Sequence, residues 1–272
     1  MLLLNFCPKY LMNYMELKEF ANPSGRLVET RDNSGSLYYA FAPQQMPVKL
    51  GFDEELVEQL GSASLQVGKL NGIYKSLAGI LEINEARLIR PYLTNEAVLS
   101  SKIEGTQSTL EEVLSTDLGS DGPAKQGDML EVINYMHAQE MGMKCIKSQK
   151  IDVELIKNLH KRLMHGVRGE KAQPGSIRSV QNYISKYQTG VGMGYATYVP
   201  PPHEMVPDLL NNMTNYMENG TGPELVKIGL MHYQFEAIHP FLDGNGRIGR
   251  LLIALYMLQA LIELKIQTLL YI

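Results

Sequence analysis

From Asp53 onward, Leu56, Leu60, Leu65, Leu70, Ile73, Leu77, Ile80 and Leu81 recur at near-helical spacing and predict a first long helix. Pro91 begins a second predicted helix, which runs through Tyr92, Ala97, Val98 and Ile103 and stops at Gly105. Thr109 to Leu114 adds a short helical piece, and the turn-rich run 115–127 marks a soft boundary. Met129, Val132, Ile133, Met136 and Met143 line one side of the next helix. Leu155, Ile156, Leu159 and Leu163 form the stripe of another, with Asp152 as its N-cap, because a carboxylate accepts the backbone N–H bonds left open at a helix start. The helical pattern breaks over 174–202. There Ile177, Val180, Tyr183, Ile184, Tyr195, Tyr198 and Val199 predict a β-hairpin or flap closed by Pro200, Pro201 and Pro202. Helices resume at Pro207 and at Glu224. The last begins within a glycine run and continues through Ile248, Leu251, Leu252, Leu255 and Leu258. Leu27 to Ala42 reads as extended or irregular. The expected fold is mostly α: a helical bundle core with one small β-hairpin flap, preceded by an N-terminal helical region.

The 272 residues suffice for one large domain or two modest ones, and 44% hydrophobic residues supply a sizeable core. The expected division is an extended segment over 1–54, a helical region over 55–120 and a core over 121–272. A net charge of −4 argues against a broad nucleic-acid surface but leaves room for a local basic pocket. Cys7 and Cys145 alone make neither a disulfide framework nor a metal cluster, which points to a reducing, cytoplasmic setting. No apolar run is long enough to cross a bilayer, so no membrane partner is expected. Residues 1–14 read as a loosely specified leader, with Met15 as an alternative start.

The chemistry concentrates in residues 239–250. Gly244 and Gly246 flank Asn245, which frees the backbone to turn several N–H groups inward as an anion nest. The nest opens onto a helix whose N-terminal N–H groups and dipole also favour phosphate. Arg247 and Arg250 are three apart on that helix and can both meet phosphate oxygens. Asp243 stands at the lip as a single carboxylate for Mg²⁺, which commonly takes only one or two from the protein. His239 can take a proton from an attacking hydroxyl near neutral pH. The run lacks the Gly-Lys-Ser/Thr ending of a Walker A loop, and its helical surroundings exclude a dinucleotide fingerprint.

His239 to Arg250 resembles the Fic family signature, His-x-Phe-x-Asp-Gly-Asn-Gly-Arg-x-x-Arg, with no departure at a defined position. The stretch 174–178 and the triple proline are similar to parts of the same family. This resemblance implies a Fic-type helical core and a protein adenylyltransferase that moves AMP from ATP to a Ser, Thr or Tyr hydroxyl of a target protein, releasing pyrophosphate. It implies His239 as general base and Asp243 as Mg²⁺ ligand. Gly244, Asn245 and Gly246 would cradle the α- and β-phosphates, with the Asn245 side chain on the α-phosphate. Arg247 would meet the β-phosphate and Arg250 the γ-phosphate. It also raises self-modification and homodimer formation.

Ser100 to Gly105 is the second informative segment. Read physically, Glu104 is an exposed charge at a helix end and Gly105 its terminator. Ser-x-x-x-Glu-Gly is also similar to the inhibitory motif of Fic proteins. That likeness implies that Glu104 pairs with Arg250, with Ser100 beside it, and holds off productive ATP. In some relatives the same glutamate supports AMP removal, which makes a bifunctional or de-AMPylating enzyme the alternative, with a nucleotide-sensing module as another. The flap residues Asn182, Tyr183 and Ile184 are either a target-docking edge or an ordinary surface hairpin. Ser185-Lys186 stands where relatives often have Gly-Gly. His137, His160, His165, His203 and His232 form no metal-ligand pattern and read as structural or surface groups. Glu111 and Glu112 read as a solvated helix face.

Overall fold

The computed structural model describes residues 24–31, 35–81, 85–117, 126–167, 173–185 and 196–270. The leader and Met15 lie outside them, as does most of the run 115–127. The chain forms β1 (Gly25–Arg31), β2 (Leu37–Pro43), α1 (Glu54–Leu81), α2 (Glu85–Ile103), α3 (Leu110–Asp117), α4 (Gln126–Cys145) and α5 (Val153–Leu163). After a single 3-10 turn at His203–Met205 come α6 (Val206–Asn219), α7 (Glu224–Ile238) and α8 (Asn245–Leu270). The mostly helical class with a small antiparallel sheet agrees with the pattern of the sequence.

The core lies between α4, α5, α6, α7 and α8, around Tyr135, Leu159, Met213, Phe235, Phe241 and Leu255, all fully buried. Helix starts follow local chemistry. The Asp152 carboxylate accepts the Leu155 N–H at 2.7 Å, as a capping Asp should. Thr109 and Glu112 close a capping box at α3. Thr109 N–H donates to Glu112 Oε2 at 2.7 Å, and Glu112 N–H donates to Thr109 Oγ1 at 3.2 Å. Glu112 is therefore a cap rather than a merely solvated charge.

Two sequence expectations change. Pro91 lies inside α2 rather than at its start. Proline's fixed φ suits a helix, but it loses one N–H bond and its ring crowds the carbonyl four residues back; helix formers on both sides carry α2 through it. The regular two-stranded sheet falls at β1 and β2, in antiparallel register from Gly25 opposite Pro43 to Arg31 opposite Leu37. Over 174–202 the described residues instead show extended chain with one bridge, Ile184 opposite Tyr198, and 186–195, including Tyr195, lie outside the described set. The two regions join: Phe41 N–H donates to the Val199 carbonyl at 2.9 Å. Asn212 on α6 bonds both backbone groups of Met46, and Gln234 on α7 bonds the Gln44 carbonyl, so β2 is pinned over the helices that carry the site.

The Ser100 to Gly105 segment is fixed to the core by α2. Glu96 accepts from Tyr135 at 2.6 Å and from Gln139 at 2.9 Å, both on α4. Burial raises the Glu96 pKa, and burial beside Glu96 raises that of Tyr135. This contact sets the rotation of α2 and so the position of Ser100, one helical turn further on.

Candidate active site

The site is built on the turn between α7 and α8. His239 caps α7 in the left-handed conformation, φ 49° and ψ 63°, with its N–H on the Phe235 carbonyl at 3.0 Å. A non-glycine residue held there is strained and persists only where its surroundings over-determine it. Arg178 supplies that restraint. Its Nε donates to the His239 carbonyl at 2.9 Å and its guanidinium also reaches the Pro201 and Ile238 carbonyls, while its own N–H donates to the Pro240 carbonyl. A buried cation thus satisfies the carbonyls at the negative end of α7.

Asn245 shapes the loop from its other side. Its Oδ1 accepts the Phe241 N–H at 2.9 Å and its Nδ2 donates to the Phe241 carbonyl at 2.8 Å. Both ends of the amide bond the Phe241 backbone, so the side chain sets the turn and keeps its second N–H outside these two bonds. His160 braces the loop beneath. It stacks on Phe241 at 3.7 Å between ring centres, its Nδ1 accepts the Gly175 N–H, and its Nε2 meets the Asp243 carbonyl at 3.0 Å. Those partners assign the proton to Nε2.

Gly244 takes φ 76°, and a β-carbon there would lie 2.8 Å from Met164 Sδ. Glycine alone meets both conditions. The Gly244 carbonyl accepts the Ile248 N–H, which makes Gly244 the first residue of the α8 cap and leaves the Asn245, Gly246 and Arg247 N–H groups at the helix start. Arg247 is buried with Glu131 of α4; the pair is 3.0 Å apart and each side chain is 4% exposed. Asp243 is exposed at the lip, with one oxygen on the Gly244 N–H at 2.6 Å and 3.8 Å from Arg247.

Arg250, on the next turn of α8, is held by α2. Its Nε donates to Ser100 Oγ at 2.8 Å, and one terminal nitrogen donates to the Ser100 carbonyl at 3.0 Å and to Glu104 Oε1 at 2.7 Å. The same Glu104 oxygen lies 2.6 Å from where a β-carbon on Gly246 would stand. A carboxylate therefore rests against the glycine of the anion cradle while paired to the second arginine of the motif.

Asn182 reaches the loop, donating to the Phe241 carbonyl at 3.0 Å. Tyr183 and Ile184 stay on the exposed face of the flap. Sequence reasoning brought together His239, Asp243 to Arg250, Ser100 and Glu104. It missed the work of Arg178, His160 and Glu131, which act through contacts 61, 83 and 116 residues away.

The electrostatics follow from burial. Burial, then the nearby Arg178 charge, lowers the His239 pKa to about 4, so its imidazole is neutral at pH 7. Its Nδ1 is buried without a hydrogen bond of normal geometry among the described residues, and the Glu236 backbone close to the ring opposes the lowering. Burial likewise lowers His160 to about 4. Glu236 on α7 is pushed up to about 7, first by burial, with Arg250 opposing and Glu104 adding to the shift. Its Oε1 is buried against Gly249 with no partner among the described residues.

An imidazole at a strained helix end stands beside a helix N-terminus whose N–H groups can take an anion. Residues 57–144 match the Fic/DOC family N-terminal region and residues 150–257 match the Fic/DOC family itself; the chain belongs to this family. It is 44% identical over 59 residues to a probable protein adenylyltransferase of Aquifex aeolicus (strain VF5), covering 21% of this chain and 18% of that one. It is 27% identical over 219 residues to the protein adenylyltransferase Fic of Drosophila yakuba, covering 76% of this chain and 40% of that one. The chain thus spans less than half the length of these relatives. Among solved structures, a Fic family protein from Desulfovibrio desulfuricans G20 superposes with a TM-score of 0.60 at 27% identity, over 76% of this chain and 58% of that one.

Proposed function

We propose that the chain is a protein adenylyltransferase that transfers AMP from ATP to a hydroxyl of a protein, restrained by Glu104. One observation carries the reading. An anion, the Glu104 carboxylate, already rests against Gly246 at the start of α8 while bonded to Arg250. A phosphate chain suits the N–H groups there and the same guanidinium.

In this reading the target hydroxyl oxygen bonds to the α-phosphorus of ATP. The bond from that phosphorus to the bridging oxygen breaks, and pyrophosphate leaves. The neutral His239 ring takes the hydroxyl proton on a ring nitrogen. The Gly244 to Arg247 backbone positions the α- and β-phosphates, Arg247 offsets charge on the β-phosphate, and Arg250 receives the γ-phosphate once Glu104 yields. Ser100 keeps Arg250 aligned. Phosphate charge beside His239 favours the imidazolium, which brings the base nearer neutrality than the empty site does.

Asp243 fits a single-carboxylate Mg²⁺ site. It is exposed at the lip with one oxygen engaged, and among the described residues no group of three or more His, Cys, Asp or Glu side chains gathers to bind an ion. Bound there, Mg²⁺ would neutralise phosphate charge. Asn182, Tyr183 and Ile184 are proposed to steady the target segment along the flap. Among the described residues no helix is long and apolar enough to cross a membrane. A cytoplasmic setting suits the free thiol of Cys145. Incubation of a cell lysate with α-labelled ATP and the Glu104→Gly protein should label protein bands that the Glu104→Gly, His239→Ala double variant does not. Equal labelling by both would overturn the reading.

A further inference from the structure

Helix α8 carries two glycines three residues apart on one face, Gly246 and Gly249, and a carboxyl group covers each of them. Glu104 Oε1 lies 2.6 Å from where a β-carbon on Gly246 would stand, with Arg250 Nη1 3.0 Å from the same point. One turn on, a β-carbon on Gly249 would collide with Glu236 Oε1 and stand 3.3 Å from Cε1 of His232. A side chain at 249 would therefore expel the Glu236 carboxyl from the seam between α7 and α8. Glycine lets it sit there, within the field of Arg250 and Glu104.

The two carboxyl groups differ in their bonding. Glu104 accepts from Arg250 at 2.7 Å, whereas Glu236 Oε1 is buried with no partner among the described residues. A buried carboxylate without a donor is costly, and the neutral acid is not. Of the groups around Glu236, Arg250 of α8 favours its ionised form and Glu104, just past α2, opposes it. On its own helix stand His232, four residues before, and His239, three after; burial lowers the pKa of both. Of the other elements packed on α7, β2 brings only the Tyr38 and Tyr39 phenols, and α6 brings Tyr216 and the exposed Asp208 and Glu218. Arg250 is thus the single cation acting on Glu236, and it is the guanidinium that Glu104 already uses.

A terminal phosphate in place of Glu104 brings about 1.5 to 2 negative charges where the carboxylate brings one. That charge favours the neutral form of Glu236 over the ionised form. By linkage, whatever raises proton affinity on binding is itself bound more tightly when the proton is present.

We propose that Glu236 is a positioning residue acting through Arg250: protonated, it leaves the guanidinium to the γ-phosphate, and ionised, it competes for that guanidinium and repels the phosphate, so that triphosphate binding takes up a proton from solvent. This inference rests on the reading that Arg250 receives the γ-phosphate.

Calorimetric titration of the full chain with α,β-methylene ATP and Mg²⁺, from about pH 7 to about pH 9, tests it in Glu104→Gly protein with and without Glu236→Gln. His239, lowered to about 4, titrates below that window. Affinity of the Glu104→Gly protein should fall about fivefold or more across the window, since one linked proton permits up to about tenfold per pH unit. With Glu236→Gln added it should change less than about twofold. Repeating the titration near pH 8 in two buffers of different ionisation enthalpy should show proton uptake in the first protein and little in the second. Gly249→Ala, which puts a methyl where the carboxyl sits and suits a helix interior, should flatten the profile in the same way. Parallel pH profiles with and without Glu236→Gln, even if offset, would reduce Glu236 to a structural group and overturn the inference while leaving the nucleotide site standing. A flat profile in the Glu104→Gly protein would also overturn it. No binding by that protein at any pH would overturn the nucleotide reading and this inference together.

Discussion

Replacing Glu104 by glycine perturbs one contact with two consequences. The Arg250 to Glu104 bond at 2.7 Å is lost, and the space against Gly246 is vacated. A hydrogen bond between charged groups contributes about 1.5–3 kcal/mol. Here the carboxylate is 38% exposed and the guanidinium 23%, so solvent screening reduces that to about 1–2 kcal/mol. On the proposed reading a triphosphate displaces this carboxylate, so its removal should tighten productive binding by the same amount, about 5–30-fold. Arg250 keeps its two bonds to Ser100, so the site should not collapse. Initial rates of labelling from α-labelled ATP, measured below saturation, read the effect directly. Glu104→Gln, which keeps the volume and loses the charge, should show a smaller rise. Rates for Glu104→Gly within twofold of wild type, with matching circular dichroism and melting curves, would refute the reasoning.

Four further outcomes are expected. Arg178→Gln leaves several buried carbonyls without a donor and should cost about 3 kcal/mol of stability, seen by urea unfolding, together with most of the transfer activity. Glu236 is raised to about 7 in the folded protein, so the folded state binds the extra proton and stability falls as pH rises from about 4.5 through 7. Glu236→Gln should therefore melt higher than wild type at pH 8 and gain less at pH 5. His239 and His160 are lowered to about 4, so the unfolded chain takes up protons first and stability falls as pH drops from about 6.5 towards 4. His239→Ala should shallow that acid limb by about 1–3 kcal/mol, measured by urea titration across the window. Chelation of divalent cations should stop transfer and leave the melting temperature of the nucleotide-free protein unchanged, with Asp243→Ala reproducing the loss.

What could be read from the sequence was what is local. Gly244, Asn245, Gly246 and both arginines lie within one turn of chain and the first turns of a helix, so their spacing already implied an anion site. Asp152 and its stripe set α5 for the same reason. Arg178, Glu131 and His160 could not be assigned, because each acts through a partner brought near only by packing. Arg178 read as one residue of an extended flap, yet it binds the end of α7. The Asn245 amide also closes the Phe241 turn, a contact that its place between two glycines did not announce. The Leu37 to Phe41 run is nearly continuous in apolar and aromatic residues without strict alternation, so its pairing with β1 was not visible from periodicity. Thr109 and Glu112 carried a capping-box signal that names the start of α3 to within a residue.

Transfer of AMP rather than phosphate is the central claim, and the position of the label in ATP tests it most directly. The Glu104→Gly protein is divided between α-labelled and γ-labelled ATP with Mg²⁺ and a cell lysate, and the products are resolved by gel and by mass spectrometry. Label from the α position should appear on protein as an AMP-sized addition to Ser, Thr or Tyr, and the γ label should leave with pyrophosphate. Incorporation of the γ label, or an AMP-sized addition that persists with Glu104→Gly, His239→Ala protein, would contradict the role assigned to His239 and its cradle.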